Sequence, residues 1–467
     1  MKFKIQIVID YEQSQTQIED ILEIEKDCTY GHTSGISLQE SKQLLKKLQK
    51  TIILQQAKVY TNSHRTCPDC NKDRRIKDER SIQYRTLFGI VVIPNLRLYH
   101  CQCAHSSLKT FSVLSDWLPE HCSPELQYIE TKWASHMSFD KTSTLLQDVL
   151  PVSATHNDVT VRNHLHSVAK RQETELEGKP FWISGCANDW AKLPKPGKPL
   201  IVGIDGGYVR SCKDRKMNFE VIVGKCFSKT HAAKRFGMVQ SMDEKPQRRL
   251  LQVLREQGMQ ENQQITFLSD GADNVRELQY MMHPESEHIL DWFHLTMRLT
   301  VLEQFSKGLS RSDEIEGKEF SEHLESAKWY LWHGNVKQAE DCLENCYCIA
   351  DTEDIHYKKQ KKLIKYLEEL GTYIDNNRHL IPNYGERWRY GEAISSSFVE
   401  STVNEVVTKR MVKKQQMQWS QQGAHYLLQA RTATLNGDLG HYFERWYPGV
   451  SIDNNESARL SDLKKAA

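Results

Sequence analysis

The sequence of 467 residues predicts an α/β protein in which a mixed sheet is followed by a long helical segment and preceded by a small cysteine-bearing module. Three observations predict this class. A proline-rich linker at 191–199 is followed by short apolar runs of strand character, helical periodicity fills most of residues 292–391, and two closely spaced cysteine pairs stand in the first quarter of the chain. The length allows roughly three domains.

The composition argues against a membrane protein, because hydrophobic residues make up 39% of the chain and no run of ~18 apolar residues is present. The first ten residues alternate polar and apolar side chains like a strand and lack the apolar core of a secretory signal. We therefore expect a soluble, cytoplasmic protein with reduced cysteines. The net charge of +1 is uninformative, but nine basic residues stand against four acidic residues between Arg65 and Lys109. This excess is typical of DNA-binding modules, and an ordinary solvated surface is the alternative.

Residues 1–60 are predicted to form a strand and an amphipathic helix at 38–57, and residues 61–115 a zinc-ribbon-like module. Two thiolate pairs on neighbouring turns complete a tetrahedral zinc shell, and such a metal replaces a core that a small module cannot build. The proposed zinc ligands are Cys67, Cys70, Cys101 and Cys103. Because the second pair has a single residue between its cysteines, His105 or His100 is an alternative to one sulfur. Free buried cysteines are the other interpretation.

Residues 116–190 are predicted to hold a helix-turn-helix, with helices at 138–150 and 155–166. In the second helix Val159 and Leu165 are expected to pack inward. Arg162 and Asn163 would then lie on exposed faces and contact a DNA groove. Many small helical pairs show this pattern without binding DNA, but the basic module next to it favours recognition.

The segment after the linker predicts a mixed sheet. Strands are expected at 200–205, 219–227, 234–240, 264–270 and 288–291, and helices at 247–257 and 275–282. This order of elements is that of the ribonuclease H-like fold. We predict such a core over residues 199–294 and 395–445, an all-α insertion over 295–394 and a tail over 446–467.

Asp205 and Asp270 are the candidate catalytic residues, because each ends an apolar run and is followed at once by a glycine. A carboxylate at a strand tip, with a glycine that lets another backbone approach, can hold a divalent cation against a phosphate. The alternative is that each aspartate begins a turn or caps a helix.

Phosphodiester chemistry with two cations requires a third acidic ligand from another element. Glu400 is the best candidate, because it borders the apolar stripe of a helix that begins near residue 395, with Asn404 one turn further on. From the residue pattern alone, Glu392 and Glu405 remain open alternatives.

Motifs along the whole chain narrow this choice. They stand at 203–207, 268–272, 290–294, 328–334, 399–401 and 417–420. In order and type they resemble those of the DDE transposases of bacterial insertion sequences of the Kra type, which are similar in layout to the Mutator-like group. The resemblance implies that Asp205, Asp270 and Glu400 bind a pair of Mg²⁺ or Mn²⁺ ions, and that Asp291 and His294 lie near the active site.

The resemblance implies a transposase that binds the terminal inverted repeats of its element in double-stranded DNA, cleaves the strands with Mg²⁺ and transfers them, as a homodimer or larger assembly on the nucleoid. A catalytically inactive DNA-binding relative and a ribonuclease H-like nuclease or resolvase are the alternatives. Basic residues after Glu400 are expected to follow a phosphate backbone, namely Lys409, Arg410, Lys413 and Lys414. Trp419 would stack on a base or, more simply, pack.

Overall fold

The computed structural model describes residues 1–452 apart from 12–15, 28–30, 32–33, 104–108, 179–185, 215, 229–230, 281, 283–285, 353–356 and 413–416. The chain divides into two compact units, Met1–Val168 with Gly437–Ala467 and Ala169–Asn436. Within the described residues, no helix combines the length and the apolarity needed to cross a lipid bilayer.

The first unit begins with an antiparallel hairpin, β1 (Lys2–Ile9) and β2 (Gln17–Glu25), followed by α1 (Leu38–Ser63). The helix begins where a capping box predicts, because the Ser37 hydroxyl accepts from the Glu40 amide and the Glu40 carboxylate accepts from the Ser37 amide. Apolar residues of β2 pack against Leu44 and Leu48 of α1. The amphipathic helix expected at 38–57 is therefore confirmed, with a C-terminal extension.

A three-stranded antiparallel sheet follows, with the order β3 (Ile76–Thr86), β4 (Gly89–Tyr99) and β5 (Thr110–Ser112). One face packs on α1 through Ile53 and Ala57, which contact Ile82, Val91 and Ile93. This core is small, as expected for a module that a metal would help to hold together.

Three helices complete the described N-terminal region, α2 (Pro124–His136), α3 (Phe139–Val149) and α4 (Asp158–Glu177). The predicted helical pair corresponds to α3 and α4. Val161 and Leu165 are fully buried, whereas Val159 is 44% exposed, so the expectation that Val159 packs inward was wrong. The buried face of α4 instead contains Val161, Leu165 and Val168, which lie on one side of the helix.

A buried carboxylate, which the sequence did not single out, joins these helices. Glu130 of α2 is fully buried and accepts hydrogen bonds from His156 Nε2 at 2.6 Å and from His164 Nδ1. Burial pushes the pKa of Glu130 upward, but the two histidine hydrogen bonds outweigh burial and leave the pKa below its usual value.

Replacement of Glu130 by glutamine is expected to lower the free energy of unfolding by about 3 kcal/mol at neutral pH, because the buried carboxylate that accepts hydrogen bonds from two histidines is lost. A carboxyl group with a lowered folded-state pKa stabilises the fold above its unfolded pKa and loses that effect as the pH falls. The deficit should therefore narrow below about pH 4.5. Urea unfolding at several pH values measures it, with exposed Glu125→Gln as the control, and a deficit constant with pH would contradict the assignment.

The second unit contains the short helix α5 (Ala187–Trp190) and a five-stranded mixed sheet. Its strands are β6 (Leu200–Arg210), β7 (Asn218–Phe227), β8 (Lys234–Val239), β9 (Ile265–Ser269) and β10 (Glu287–Leu290). The order across the sheet is β10-β9-β6-β7-β8, in which β6, β9 and β10 are parallel and β7 and β8 run antiparallel to their neighbours. Every predicted strand and helix of this segment is present. However, β6 continues to Arg210, so Asp205 lies within the strand and not at its end.

Helices cover both faces of the sheet. On one face, α6 (Pro246–Glu256) and α7 (Asp273–Tyr280) pack on Val202, Ile204 and Phe267. On the other face lie α8 (Trp292–Leu309), α9 (Glu314–Trp332), α10 (Val336–Ala350), α11 (Gln360–Asn377) and α12 (Tyr384–Arg389), whose core includes Leu268 and Ile289 of the sheet. The last described elements along the chain are α13 (Ser397–Val403), a π-helical turn (Asn404–Val412), α14 (Gln421–Leu435) and α15 (Leu439–Trp446).

Candidate functional site

Three aspartates form a row across three neighbouring strands. Gly203 of β6 is paired with Leu268 of β9, and Leu268 is paired with Ile289 of β10. The residues two positions further along these strands are Asp205, Asp270 and Asp291. Residues two positions apart in a strand share a face, so the three aspartates follow strand positions that lie on one side of the sheet. Asp205 and Asp270 thus belong to neighbouring strand positions, and the Asp270 carboxylate is close enough to raise the pKa of Asp205.

The row lies on the face of the sheet that α13 covers. A Cβ atom added to Gly203 would lie 2.0 Å from Val399 Cγ2, and one added to Gly207 would lie 3.4 Å from Val403 Cγ1. Asp205 stands between these two glycines on the same face of β6. The absence of side chains at 203 and 207 is what lets the helix approach the strand closely beside the aspartate.

Gly203→Ala is expected to destabilise the second unit by about 1–3 kcal/mol, because the new methyl group overlaps Val399 and the Phe398 ring, whose Cε2 would lie 2.8 Å away. Gly206→Ala is the matched control, since its methyl would meet only the mobile end of Glu220 at 3.1 Å. Thermal unfolding of both variants measures the difference. Equal melting temperatures would mean that α13 does not pack on β6 in this way.

The row concentrates negative charge. Asp205 is half-buried and its Oδ1 accepts from the Gly206 amide at 2.8 Å. Burial raises the pKa of Asp205, His294 and the Gly206 amide act in the opposite direction, and the carboxylates of Asp270 and Asp291 raise the pKa further. An oxygen-only donor set with surplus negative charge suits a hard divalent cation such as Mg²⁺, which would relieve the repulsion.

Asp291 has a different role from its two neighbours. It is fully buried, and its Oδ1 accepts from the amides of Phe293 at 2.9 Å and Ser396 at 2.8 Å, while its Oδ2 accepts from the Ser396 hydroxyl. Asp291 therefore caps the start of α8 and at the same time holds the residue that precedes α13. Through that contact it positions the helix that carries Glu400. The three serines at 395–397 were the sequence signal for the start of α13, because serine is a preferred N-cap residue.

His294 lies at the open side of the row. Its Nε2 is 3.6 Å from Asp291 Oδ2, and its side chain is 21% exposed. The charge of His294 acts on Asp205, which places the ring within electrostatic reach of the first aspartate. His294 therefore lies beside the carboxylate of Asp291 and influences that of Asp205.

The three glutamates considered from the sequence differ in their contacts. Glu405 Oε2 lies 2.9 Å from Arg235 Nε, and Glu392 Oε2 lies 3.1 Å from Arg387 Nη2, so both are ion-paired. Glu400 is exposed, and its side chain forms no hydrogen bond or ion pair with the described residues. It is the glutamate that stays available for a ligand.

The carboxylate oxygens are not yet gathered as metal ligands. Among the described residues, the four cysteines are the set of three or more potential ligands whose donor atoms all lie within 4.8 Å of one another. Asp205, Asp270 and Glu400 do not meet this distance. Glu400 nevertheless belongs to the helix that packs on the Asp205 face, directly after Val399.

The helix bearing Glu400 continues as a π-helical turn that begins at Asn404, which is exposed. Arg431 of α14 donates to the carbonyl of Val406 at 2.8 Å and to that of Glu405 at 2.5 Å. These carbonyls are therefore satisfied from outside the turn, which is one way a π-helix is tolerated.

Arg410 was expected to face DNA, and this expectation was wrong. Its side chain is fully buried with the guanidinium 5.2 Å from the centre of the Trp419 ring, and burial together with Arg431 lowers the pKa of Arg410 to about 9. The π-turn changes the spacing on which the exposed face was predicted. Lys409 is exposed, Trp419 packs, and Lys413 and Lys414 lie outside the described residues. On α4, Arg162 and Asn163 are exposed as predicted.

The four cysteines form a second candidate site, in the first unit. Cys67 Sγ lies 3.4 Å from Cys103 Sγ, and Cys70 Sγ lies 3.2 Å from Cys101 Sγ. All four sulfur atoms are within 4.8 Å of one another. Four thiolates at this spacing fit the tetrahedral shell of zinc, in which each Zn–S bond is about 2.3 Å. The cluster could therefore hold a structural zinc ion.

The first cysteine pair is shaped by its own turn. Amides of Cys70 and Asp69 donate to the Cys67 sulfur and lower the pKa of Cys67 to about 6, which favours the thiolate that a metal binds. Asn71 directly after the pair adopts a positive φ of 56°, a conformation that asparagine tolerates better than most residues. Asn71 therefore allows the chain to turn directly after Cys70.

Of the alternative ligands, His100 packs against Phe111 in a tilted arrangement with 4.8 Å between ring centres, and it lies outside the cysteine cluster. His105 lies outside the described residues. Cys103 completes the set of four donors.

The sequence matches no protein-family model and no curated protein. What the chain does must therefore be inferred from these two sites.

Proposed function

We propose that the chain is a DDE-type transposase, which cleaves and transfers strands of double-stranded DNA with Mg²⁺ or Mn²⁺ held by Asp205, Asp270 and Glu400. The observation that carries this proposal is the row of aspartates on adjacent parallel strands, covered on the same face by the helix that bears Glu400. Two aspartates and a glutamate from three separate elements are what a two-cation phosphodiester site requires.

The order of strands supports a ribonuclease H-like core. Three consecutive strands run antiparallel, and the next two add in parallel beside the first, each after a helix. This arrangement puts the first and fourth strands side by side, so that their acidic residues become neighbours. The helices α8 to α12 stand between the last strand and α13, in agreement with a helical insertion ahead of the third acidic residue.

The first unit supports a role in DNA binding. It carries the basic segment, the cysteine cluster and the helical pair on which Arg162 and Asn163 are exposed. A zinc-stabilised module and a helix-turn-helix would bind the ends of the element, and two ends brought together would require at least a homodimer. Sequence recognition and strand chemistry would then reside in different parts of the chain.

The residues of the site would divide the work. When bound, the two cations would supply a Lewis acid for the attacking hydroxyl and for the departing 3′ oxygen. Asp205 and Asp270 would bind from the sheet and Glu400 from α13. Asp291 would keep α13 in place through Ser396, and His294 would border the phosphate.

The test is cleavage of a supercoiled plasmid that carries the coding sequence of this chain with its flanking DNA. With Mg²⁺ the full chain is expected to break strands at two fixed positions, one on each side of the coding sequence, leaving 3′-hydroxyl ends that sequencing can map. EDTA should abolish the reaction. Scattered nicks, or cleavage of junctions or RNA–DNA hybrids instead, would contradict transposition and support a nuclease.

One observation favours a second candidate, a DNA-binding relative without catalysis. The oxygens of Asp205, Asp270 and Glu400 do not gather within 4.8 Å in the described structure. Binding to the DNA that flanks the coding sequence without any Mg²⁺-dependent strand break would support this candidate and contradict the first.

A further inference from the structure

One face of α8 continues the carboxylate row. Asp291, His294 and Arg298 follow one another at helical spacing, so they lie on the same side of the helix. His294 is 3.6 Å from Asp291 and acts electrostatically on Asp205, so this side borders the row. Arg298 stands about 6 Å further along the helix than His294. It is therefore the next side chain outward from the candidate catalytic centre.

Arg298 is held in place by an aromatic ring. Its guanidinium carbon lies 4.2 Å from the centre of the Tyr373 ring, on α11, and the Tyr373 hydroxyl donates to the backbone carbonyl of Asp270 at 2.9 Å. A guanidinium on an aromatic face keeps its hydrogen-bond donors at the edge free. The ring thus fixes an arginine next to the second aspartate.

Arg298 forms no ion pair with the described residues. Its side chain is exposed, and no carboxylate of the described residues lies within ion-pair distance of it. Neighbouring arginines are used differently, since Arg387 forms two hydrogen bonds with Glu287, and Arg276 donates to the Gly271 carbonyl and to Asn377. Arg298 is therefore available to an anion from outside the chain.

A cleft of about 460 Å³ opens at this position between α8 and α11. Arg298, Thr372, Tyr373 and Asn376 line it, together with two glutamates and Lys365, whose Nζ is 3.7 Å from Glu369. The polar lining can contact a sugar–phosphate backbone, and Arg298 is the cleft residue that lies on the ring hydrogen-bonded to Asp270.

We propose that Arg298 binds a backbone phosphate of the DNA strand next to the bond cut at Asp205 and Asp270. This assignment rests on the proposed function and adds a substrate contact that the sequence did not reveal. The ligand is a DNA phosphodiester, which the guanidinium would bind with two hydrogen bonds while it remains stacked on Tyr373. The contact would hold the strand in register with the metal site.

The experiment measures DNA binding by the full chain in Ca²⁺, so that no cleavage is needed. A labelled duplex from the DNA that flanks the coding sequence is titrated at several salt concentrations. Arg298→Ala is expected to weaken binding about fivefold near physiological salt and to reduce the slope of log affinity against log salt by about 0.9, the value for one phosphate contact. Arg298→Lys should retain most of the slope, because the charge is kept.

Arg311→Ala is the matched control, since Arg311 is exposed beyond the end of α8 and should leave the slope unchanged. Circular dichroism and thermal melting establish that each variant is folded. A slope for Arg298→Ala equal to that of the unmodified chain would overturn the phosphate contact even if the plasmid is cleaved as proposed. A reduced slope without any plasmid cleavage would retain the contact and overturn the transposase assignment, so the two failures are distinguishable.

Discussion

Asp205→Asn is expected to lower the rate of Mg²⁺-dependent strand cleavage by about a thousandfold or more, equivalent to about 4 kcal/mol of transition-state stabilisation. Asp205 is the aspartate between the two glycines that α13 covers, and its pKa is raised by burial and by two neighbouring carboxylates. The amide keeps the shape of the side chain but removes the charge that a cation would neutralise. Cleavage of the plasmid described above measures the rate.

The same variant should bind DNA normally in Ca²⁺, because the proposed DNA-reading elements belong to the first unit. Asp214→Asn is the matched control, since Asp214 is exposed in the turn between β6 and β7 and its side chain accepts from the Lys216 amide at 2.9 Å. Calorimetric titration with Mn²⁺ should show weaker binding to Asp205→Asn alone. Unchanged cleavage in that variant would remove Asp205 from the site.

Glu400→Gln is expected to reduce cleavage as Asp205→Asn does, and Glu392→Gln, whose ion pair with Arg387 is on the surface, should have little effect. This comparison separates a metal ligand from a nearby glutamate of the same type. If Glu392→Gln were the inactive variant, the third ligand would have to be reassigned.

The second large effect is expected on removal of metal from the cysteine cluster, which should unfold the three-stranded sheet. The apolar core of this module has few fully buried residues, contributed by α1, β3, β4 and the segment after β5, whereas a structural zinc contributes about 10–16 kcal/mol of binding free energy. A strong chelator, or Cys67→Ser, should therefore expose β3 to β5. Hydrogen exchange measures the loss as rapid exchange of amides that pair in this sheet.

Cys348→Ser is the control for this experiment, because Cys348 is an exposed thiol on α10, away from the cluster. Purified chain should contain one zinc per molecule by elemental analysis. A chain without bound metal whose β3 to β5 amides remain protected would show that the four thiols pack without a zinc ion.

The elements of the sheet could be predicted because hydrophobic periodicity is a local property. Strand and helix positions between residues 200 and 290 agree closely with prediction, and the cysteine spacing was enough to group four thiols. Arg410 shows the limit of such reasoning. Its exposed position was predicted from regular helical spacing, but a π-turn stabilised by Arg431 turns its side chain inward.

The choice among the glutamates illustrates a second limit. Glu392, Glu400 and Glu405 are equivalent in type, and what distinguishes them is whether an arginine from a distant segment reaches them. Arg235 is 170 residues from Glu405 in the chain, and nothing in the local pattern indicates that they meet. The buried pairing of Glu130 with His156 and His164 was missed for the same reason.

The sequence by itself determined the class of the fold, the strands that carry or precede the acidic residues, and the two cysteine pairs, because each of these depends on residues that are neighbours in the chain. Only the tertiary structure decided that Asp291 holds Ser396, that Glu400 is free of arginine partners within the described residues, and that Arg298 rests on Tyr373 beside Asp270. These contacts join segments dozens of residues apart or more. They form only when sheet and helices pack, since packing selects the side chains that meet.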